Sequence, residues 1–337
     1  MKFLTLVATI TISFGLTHLV RKSAIKQNKF DIPNERSSHK NPTPRGGGIA
    51  VVAAFIFGLL ALLLRSDIDT ESFYAIVLPG ILVAAIGYLD DLGRVTAARL
   101  RLIGHFVAAV LAIYILGGLP PMPLFTEALS LGVVGNIIAV LFLVWMLNLF
   151  NFMDGIDSIT GVEALTSCLV LTIFLFNISE TKLWQVPALL CGAVVGFLYF
   201  NWPPAKIFLG DIGSGFIGFT IGVISLVVAK TQPQITWAMI ILLGVFIVDA
   251  TVTLIRRLIN RQQISKAHRS HAFQHVANSP DRHLKVSLSI AIVNIFWLAP
   301  IAWLVVDQRI MPIVGVAVSY APLLVLAIYF KAGKTAG

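Results

Sequence analysis

The stretch Asn148-Leu-Phe-Asn-Phe-Met-Asp-Gly-Ile-Asp157 sets two amides and two carboxylates at three-residue intervals, directly after the apolar run 131–147. Residues three apart are neighbours on a helix surface, so Asn148, Asn151 and Asp154 fall along one drifting stripe. Gly155 lets the chain leave the helix, and Asp157 need not continue the stripe. Hard oxygen donors of this kind suit Mg2+ and the phosphates it carries. A polar helix end facing water is the plainer reading. Acids at the end of a membrane-length segment are costly without an ion, a partner or water, and four polar groups at regular spacing favour a site.

Four further clusters have chemistry to offer. Asp31-Ile-Pro-Asn-Glu-Arg-Ser-Ser-His-Lys-Asn-Pro-Thr-Pro-Arg-Gly-Gly-Gly48 mixes cations with prolines that stiffen the chain and glycines that permit close approach to a ligand. Lys40 and Arg45 suit phosphate, one as a point charge and the other as a fork. The Gly-Lys-Ser/Thr ending of a P-loop is absent. In Asp90-Asp91 two like charges sit side by side, which raises one apparent pKa unless a cation opposes it. Adjacent helical residues point about 100° apart, so the pair does not face one atom equally. Asn201-Trp-Pro-Pro-Ala-Lys-Ile-Phe-Leu-Gly-Asp-Ile-Gly-Ser214 offers Phe208 as a stacking platform and Asp211 between glycines, either as a helix cap or as a metal ligand. Finally, Ala267-His-Arg-Ser-His-Ala-Phe-Gln-His275 lies near Arg256, Arg257 and Arg261. It lacks a fourth ligand at zinc spacing, and anion binding by Arg269 and His271 fits the cationic setting better. Attraction to lipid headgroups is the alternative there. Asp249, inside an apolar run, pairs with an arginine or serves the site.

The elements that must carry these groups are membrane helices. The chain is 57% hydrophobic and 12% charged, roughly half the charge of a soluble domain. Apolar runs near 3–20, 48–64, 72–89, 100–118, 129–148, 161–178, 184–200, 213–229, 235–255, 285–306 and 311–330 predict an all-α integral membrane protein, a polytopic bundle of about 10–11 transmembrane helices. Alternating barrel strands are not seen. The first run is followed, not preceded, by Arg21, Lys22, Lys26 and Lys29 and shows no cleavage site, so it reads as a retained span with its N-terminus outside. That topology puts Lys and Arg inside over outside by about four to one, including Arg94, Arg99, Arg101, Lys206 and Arg256 inside. The net charge of +9 is explained by those loops without invoking nucleic acid. All five clusters then fall on the cytoplasmic side and read as one composite site. Cys168 and Cys191 lie within apolar runs and suggest small core residues. No internal repeat or separable loop domain is visible, so residues 1–337 form one integral domain with its motifs between 31 and 275.

In order and content these motifs resemble the polyprenyl-phosphate N-acetylhexosamine-1-phosphate transferase family. The resemblance rests on Pro42-Thr-Pro-Arg-Gly-Gly47, Asp90-Asp91, the Asn148–Asp157 pattern and Phe208-Leu-Gly-Asp-Ile-Gly-Ser214. It implies a multi-pass protein of the bacterial cytoplasmic membrane with a cytoplasmic active site. It implies a UDP-N-acetylhexosamine donor, a polyprenyl phosphate acceptor drawn from the bilayer, Mg2+ or Mn2+ as cofactor, and a homodimer as a possible assembly. On that resemblance Asn151 and Asp211 would hold the metal, and Asp90 would face the lipid phosphate beside Asp91. Asp154 and His271 would join them in catalysis. Lys40, Arg45, Asp157, Asn201, Phe208 and Arg269 would contact nucleotide or phosphate.

Two departures bear on the sugar. The expected Asp-Gly-x-Asp-Gly reads Asp154-Gly-Ile-Asp157-Ser158, and the histidine-rich signature appears as His271-Ala-Phe-Gln274. The second resembles the O-antigen branch that loads N-acetylated 6-deoxyhexosamines; a peptidoglycan-type transferase would show consecutive histidines. A transporter would place acids near the bilayer midplane, with broken helices and paired halves. A CDP-alcohol phosphotransferase or an intramembrane prenyltransferase would need more carboxylates per motif.

Overall fold

The computed structural model describes residues 2–33, 38–39, 41–94, 97–123, 128–178, 182–262 and 269–334. Among them, nine helices are long and apolar enough to cross a membrane, and a tenth crossing is a pair bent by 68°. The chain runs α1 (Lys2–Lys26), α2 (Gly48–Leu64), α3 (Thr70–Asp91), α4 (Ala98–Ile115), α5 (Gly132–Met153), α6 (Ile159–Ile178), α7 (Gln185–Asn201) and α8 (Asp211–Ala229). It continues with α9 (Gln234–Leu242), α10 (Gly244–Ile259), α11 (Ala272–Val276), α12 (His283–Val293), α13 (Ala299–Val306) and α14 (Pro312–Tyr329). The expected all-α membrane architecture is what the chain adopts. The seventeen-residue α2, apolar but shorter than those nine spans, stands for the eleventh of the expected crossings.

Two expectations are corrected. The ninth run, 235–255, is not one helix: the chain bends at Leu243, joining α9 to α10. No proline marks the break, and the residues on both sides are apolar, so periodicity could not locate it. The helix carrying Asn148 and Asn151 ends at Met153, so Asp154 leaves the stripe with φ −76° and ψ 56°. Gly155 marks the exit one residue late.

Packing is organised around α8, which is buried along its length and lies chiefly against α3 and α5. Without a hydrophobic force between helices in lipid, close backbone approach supplies the contact. A Cβ at Gly218 would sit 2.4 Å from the Met146 carbonyl oxygen of α5, so only glycine fits. The opposite flank is α1 packed on α7 and α2. Asp69 starts α3 by accepting a hydrogen bond from the Ser72 amide at 2.8 Å. Glu163 is a buried acid within α6, and the Asn294 amide donates to its Oε2 at 2.7 Å from the π-helical segment Asn294–Leu298.

At one end of the bundle the loops interlock. Strands β1 (Phe30–Asp31) and β2 (Thr43–Pro44) pair antiparallel, which brings Asp31 alongside Thr43. The 201–211 loop then joins that hairpin through its backbone. Phe208 N donates to Pro44 O at 2.8 Å, Gly47 N to Phe208 O at 2.9 Å and Gly48 N to Leu209 O at 2.8 Å. A Cβ at Gly48 would lie 2.4 Å from Gly213 Cα. The closeness anticipated for glycines 46–48 is thus, at Gly47 and Gly48, closeness to another stretch of chain. A second short pair, β3 (Met122–Pro123) with β4 (Ala128–Leu129), lies between α4 and α5.

Candidate active site

A polar cavity of about 200 Å³ opens where these loops meet. Arg45, Asp154, Asp157, Asn201, Phe208 and Asp211 line it, joined by Asp31, Ser38, His39 and Gln274. Its walls come from four separate parts of the chain.

The Asp90-Asp91 pair divides as adjacent helical residues must. Asp91 turns towards α8, where its oxygens accept from the backbone N–H groups of Asp211 at 3.1 Å and Ile212 at 3.2 Å. A carboxylate there satisfies two of the free amides of a helix start and complements its dipole. Arg45 Nη2 lies 3.0 Å from Asp91 Oδ1 and closes the arrangement. Asp91 therefore sets the position of Asp211. Gly210, at φ +78°, leaves the room this needs, because a Cβ there would meet Asp91 Oδ2 at 2.5 Å. Asp90 instead pairs with Arg101 of α4, whose Nη1 is also 3.8 Å from Asp211 Oδ2. One guanidinium thus faces both carboxylates.

Burial opposes the charge of Arg45. The carboxylates of Asp91, Asp211, Asp31 and Asp90 outweigh that and raise its pKa. Asp154, just past the end of α5, has its pKa pushed up to about 7. Burial is the main cause, with the Asp91 and Asp157 charges adding to it.

The remaining cavity groups are tightly held. Asn201 accepts from Ser158 N at 2.9 Å and donates to Ile207 O at 2.9 Å, so it ties two loops together. Asp157 Oδ2 accepts from Ala205 N at 3.1 Å and lies 3.3 Å from Nδ1 of His283, which is buried in α12. Ser38 Oγ donates to Gly155 O at 2.6 Å. The Phe208 ring meets His39 edge-on, 4.9 Å between centroids. Ser158 stands where the resemblance expects glycine, at φ +65°.

Asn151 does not line the cavity, but its amide reaches Ser214 Oγ at 3.5 Å, one turn along α8 from Asp211. Asn148 bonds back to Val144 O at 2.7 Å within its own helix. His271 is buried against Asp249 at 3.4 Å and does not line the cavity; Gln274, three residues on, does. Asp249 also accepts from the Ala272 and Phe273 amides at 2.9 and 3.0 Å and from Thr253 Oγ1 at 3.2 Å, so among the described residues its partners are the start of α11 and its own helix, with no arginine. Arg269 is half-buried and is not a cavity residue. Lys40 lies outside the described residues. Sequence reasoning assigned no role to Arg101, His39, Ser38, Gln274 or His283. The adjacent acids of Asp90-Asp91 were one signal, since two acids at a helix end call for a cation from the next helix.

Among the described residues no three Asp, Glu, His or Cys side chains stand close enough to form a ready metal site. Mg2+ does not require one, since it commonly takes one or two carboxylates and completes its shell with phosphate oxygens and water. Asp154 and Asp211 both line the cavity, and the uncharged form that burial favours for Asp154 is what a cation would reverse.

Residues 73–229 match the model of glycosyl transferase family 4. The chain is also 32% identical to a probable undecaprenyl-phosphate N-acetylglucosaminyl 1-phosphate transferase of Bacillus subtilis, over 76% of this chain and 72% of that protein. It belongs to glycosyl transferase family 4. Other relatives in family 4 include a decaprenyl-phosphate N-acetylglucosaminephosphotransferase of Mycolicibacterium smegmatis, 32% identical over 66% of this chain and 59% of that one. A phospho-N-acetylmuramoyl-pentapeptide-transferase of Streptococcus uberis is 24% identical over 75% and 80%. The family 4 match runs from α3 to the end of α8 and so includes Asp90, Asp91, Asp154, Asp157 and Asp211.

Proposed function

We propose that this protein transfers an N-acetylhexosamine 1-phosphate from a UDP-sugar to polyprenyl phosphate at the cytoplasmic face of a bacterial inner membrane, starting a surface polysaccharide such as O-antigen. The observation that carries the reading is a polar cavity at one end of a membrane bundle, where Asp154, Asp211 and Arg45 meet. A phosphate oxygen of the lipid attacks the sugar-linked phosphorus, the phosphoanhydride bond breaks, and UMP leaves with the bridging oxygen. A monoester with a second pKa near 6 is largely ionised at neutral pH, so the reaction needs alignment and charge neutralisation more than a base.

Asp211 and Asp154, which both line the cavity, would hold Mg2+ there, and Asn151 would join them only by turning its amide from Ser214. When bound, the ion supplies charge neutralisation on the phosphates. Arg45 offers a fixed fork to phosphate oxygens, and Asp91 keeps Arg45 and the first turn of α8 in register. Phe208 offers a ring face for the uracil. The His271-Ala-Phe-Gln274 version of the loop supports an N-acetylated 6-deoxy sugar, while the names of relatives put UDP-N-acetylglucosamine first among donors to try.

The test is UMP release by purified protein with polyprenyl phosphate and a panel of UDP-N-acetylhexosamines. Turnover with one donor is expected, falling at least 100-fold in Asp211→Ala and less in Asp90→Ala. No UMP with any donor would overturn the activity. Near-normal turnover of Asp211→Ala at saturating Mg2+ would overturn the metal assignment.

A further inference from the structure

A second cavity, about 470 Å³, lies between α10, α12 and α14 and is separate from the polar one. Its walls are hydrocarbon, with Val286 and Ile290 from α12 facing Leu323 and Ala327 from α14. Along α12 the lining residues recur at helical spacing from Arg282 to Val293, so the groove runs lengthwise down a membrane span. Only one end is basic. Arg282 and Lys285, both exposed, stand at the start of α12, and neither has an ion-pair partner among the described residues. Asp249, the one acid in the wall, is occupied by the Ala272 and Phe273 amides.

That end is also the end where the active-site loops gather. Gly333 N donates to Ser270 O at 2.6 Å and Arg256 Nη1 to Ala332 O at 2.7 Å, which ties the tail of α14 to the loop before α11. Phe273 lines the groove, and its ring tip would lie 3.0 Å from a Cβ on Gly155, a residue of the polar cavity. One aromatic ring therefore separates the two cavities.

We propose that this groove binds an anionic phospholipid, with an acyl chain along α12 and α14 and the phosphate against Arg282 and Lys285. The charge pattern selects this occupant. A neutral lipid would leave both cations unmatched, and a soluble anion would leave the apolar length unused. Basic pockets between membrane helices on the cytoplasmic side favour such headgroups. The occupied groove braces α11, and with it Gln274 at the active-site wall.

Native mass spectrometry of the whole protein, released from nanodiscs, tests this with phosphatidylglycerol and phosphatidylcholine of identical chains. Preferential retention of phosphatidylglycerol is expected, with the preference falling roughly thirtyfold in R282Q/K285Q, as the loss of two surface cations implies. R282K/K285R should restore it. S289W, which fills the mouth of the groove from an exposed position, should weaken retention with both cations intact. Equal retention of the two lipids by the wild type, or an undiminished preference in R282Q/K285Q, overturns the proposal. So does unchanged retention in S289W, or displacement of phosphatidylglycerol by polyprenyl phosphate. Retention is measured without turnover, so it stands or falls independently of the transferase reading.

Discussion

Ser158 shows how one residue can record a constraint that its own type does not suit. At φ +65° it carries a Cβ where glycine would be at ease, a conformation costing L-residues about 1–2 kcal/mol. Its hydroxyl bonds Ser287 at 3.0 Å and its amide bonds Asn201, which holds the turn in place. Ser158→Ala keeps the strain and loses the hydroxyl bond, whereas Ser158→Gly loses the bond and the strain together. Thermal unfolding in detergent should therefore rank Gly above Ala by about 1 kcal/mol, the reverse of their order inside a helix. Asp91 makes a second contrast with Asp211. Asp91→Ala strips two amides at the start of α8 and the partner of Arg45, so it should lower both the melting temperature and turnover. Asp211→Ala should lower turnover with little change in melting. At this scale the sequence was informative about Asp154, Asp157, Arg45, Asn201, Phe208 and Asp211, all of which line one cavity. It was silent on His39 and gave Gln274 only as the last residue of a sugar-linked signature; the place of both depends on packing between distant segments.

Among the elements, α2 and α8 meet so closely that the contact can be tested directly. Gly48→Ala would drive a Cβ into the Gly213 backbone, which has no rotamer to yield, and overpacking of this kind costs about 1–3 kcal/mol. Gly15→Ala on α1, with nothing within 4 Å, should be neutral or mildly stabilising in the same unfolding assay. Helix existence was legible throughout because every span is a continuous apolar run. Helix ends were less so. α1 continues to Lys26 because Arg21, Lys22 and Lys26 are good helix formers, although polarity alone places the end of the span at residue 20. The bend at Leu243 was marked only by Gly244, one glycine among many in the apolar runs. A broken span is a feature that a transporter would share, but the polar cavity's acids come from β1, the loop after α5 and the start of α8, and none from the broken span.

Taken whole, the molecule has one end built for chemistry and another built for closure. At the far end Asp67 lies 2.5 Å from Lys182 and 3.1 Å from Arg65, and Glu71 pairs with Lys230. Burial alone would raise the Asp67 pKa, but the two cations outweigh it and hold the carboxyl below its ordinary value. A depressed carboxylate stabilises the fold above its unfolded pKa, near 3.9, and loses that contribution as pH falls through the folded value. Melting temperature should therefore drop as pH goes below about 4, with a shallower slope in Asp67→Asn. The orientation proposed from the charged loops has its own test. Cys168 and Cys191 are buried, so an impermeant thiol reagent should find a background-free target in Lys206→Cys only after spheroplasts are opened, and in Ser66→Cys before. Reversed labelling would turn the molecule over.

The backbone bonds between 44–48 and 208–209 have an evolutionary corollary. Amides and carbonyls are common to almost every residue, so apart from the glycines required at 47 and 48 the two loops hold each other without regard to what their side chains are. Descendants of one ancestor can then exchange the groups that greet a sugar while the scaffold beneath them stays seated, which is how one architecture can come to serve many surface polymers.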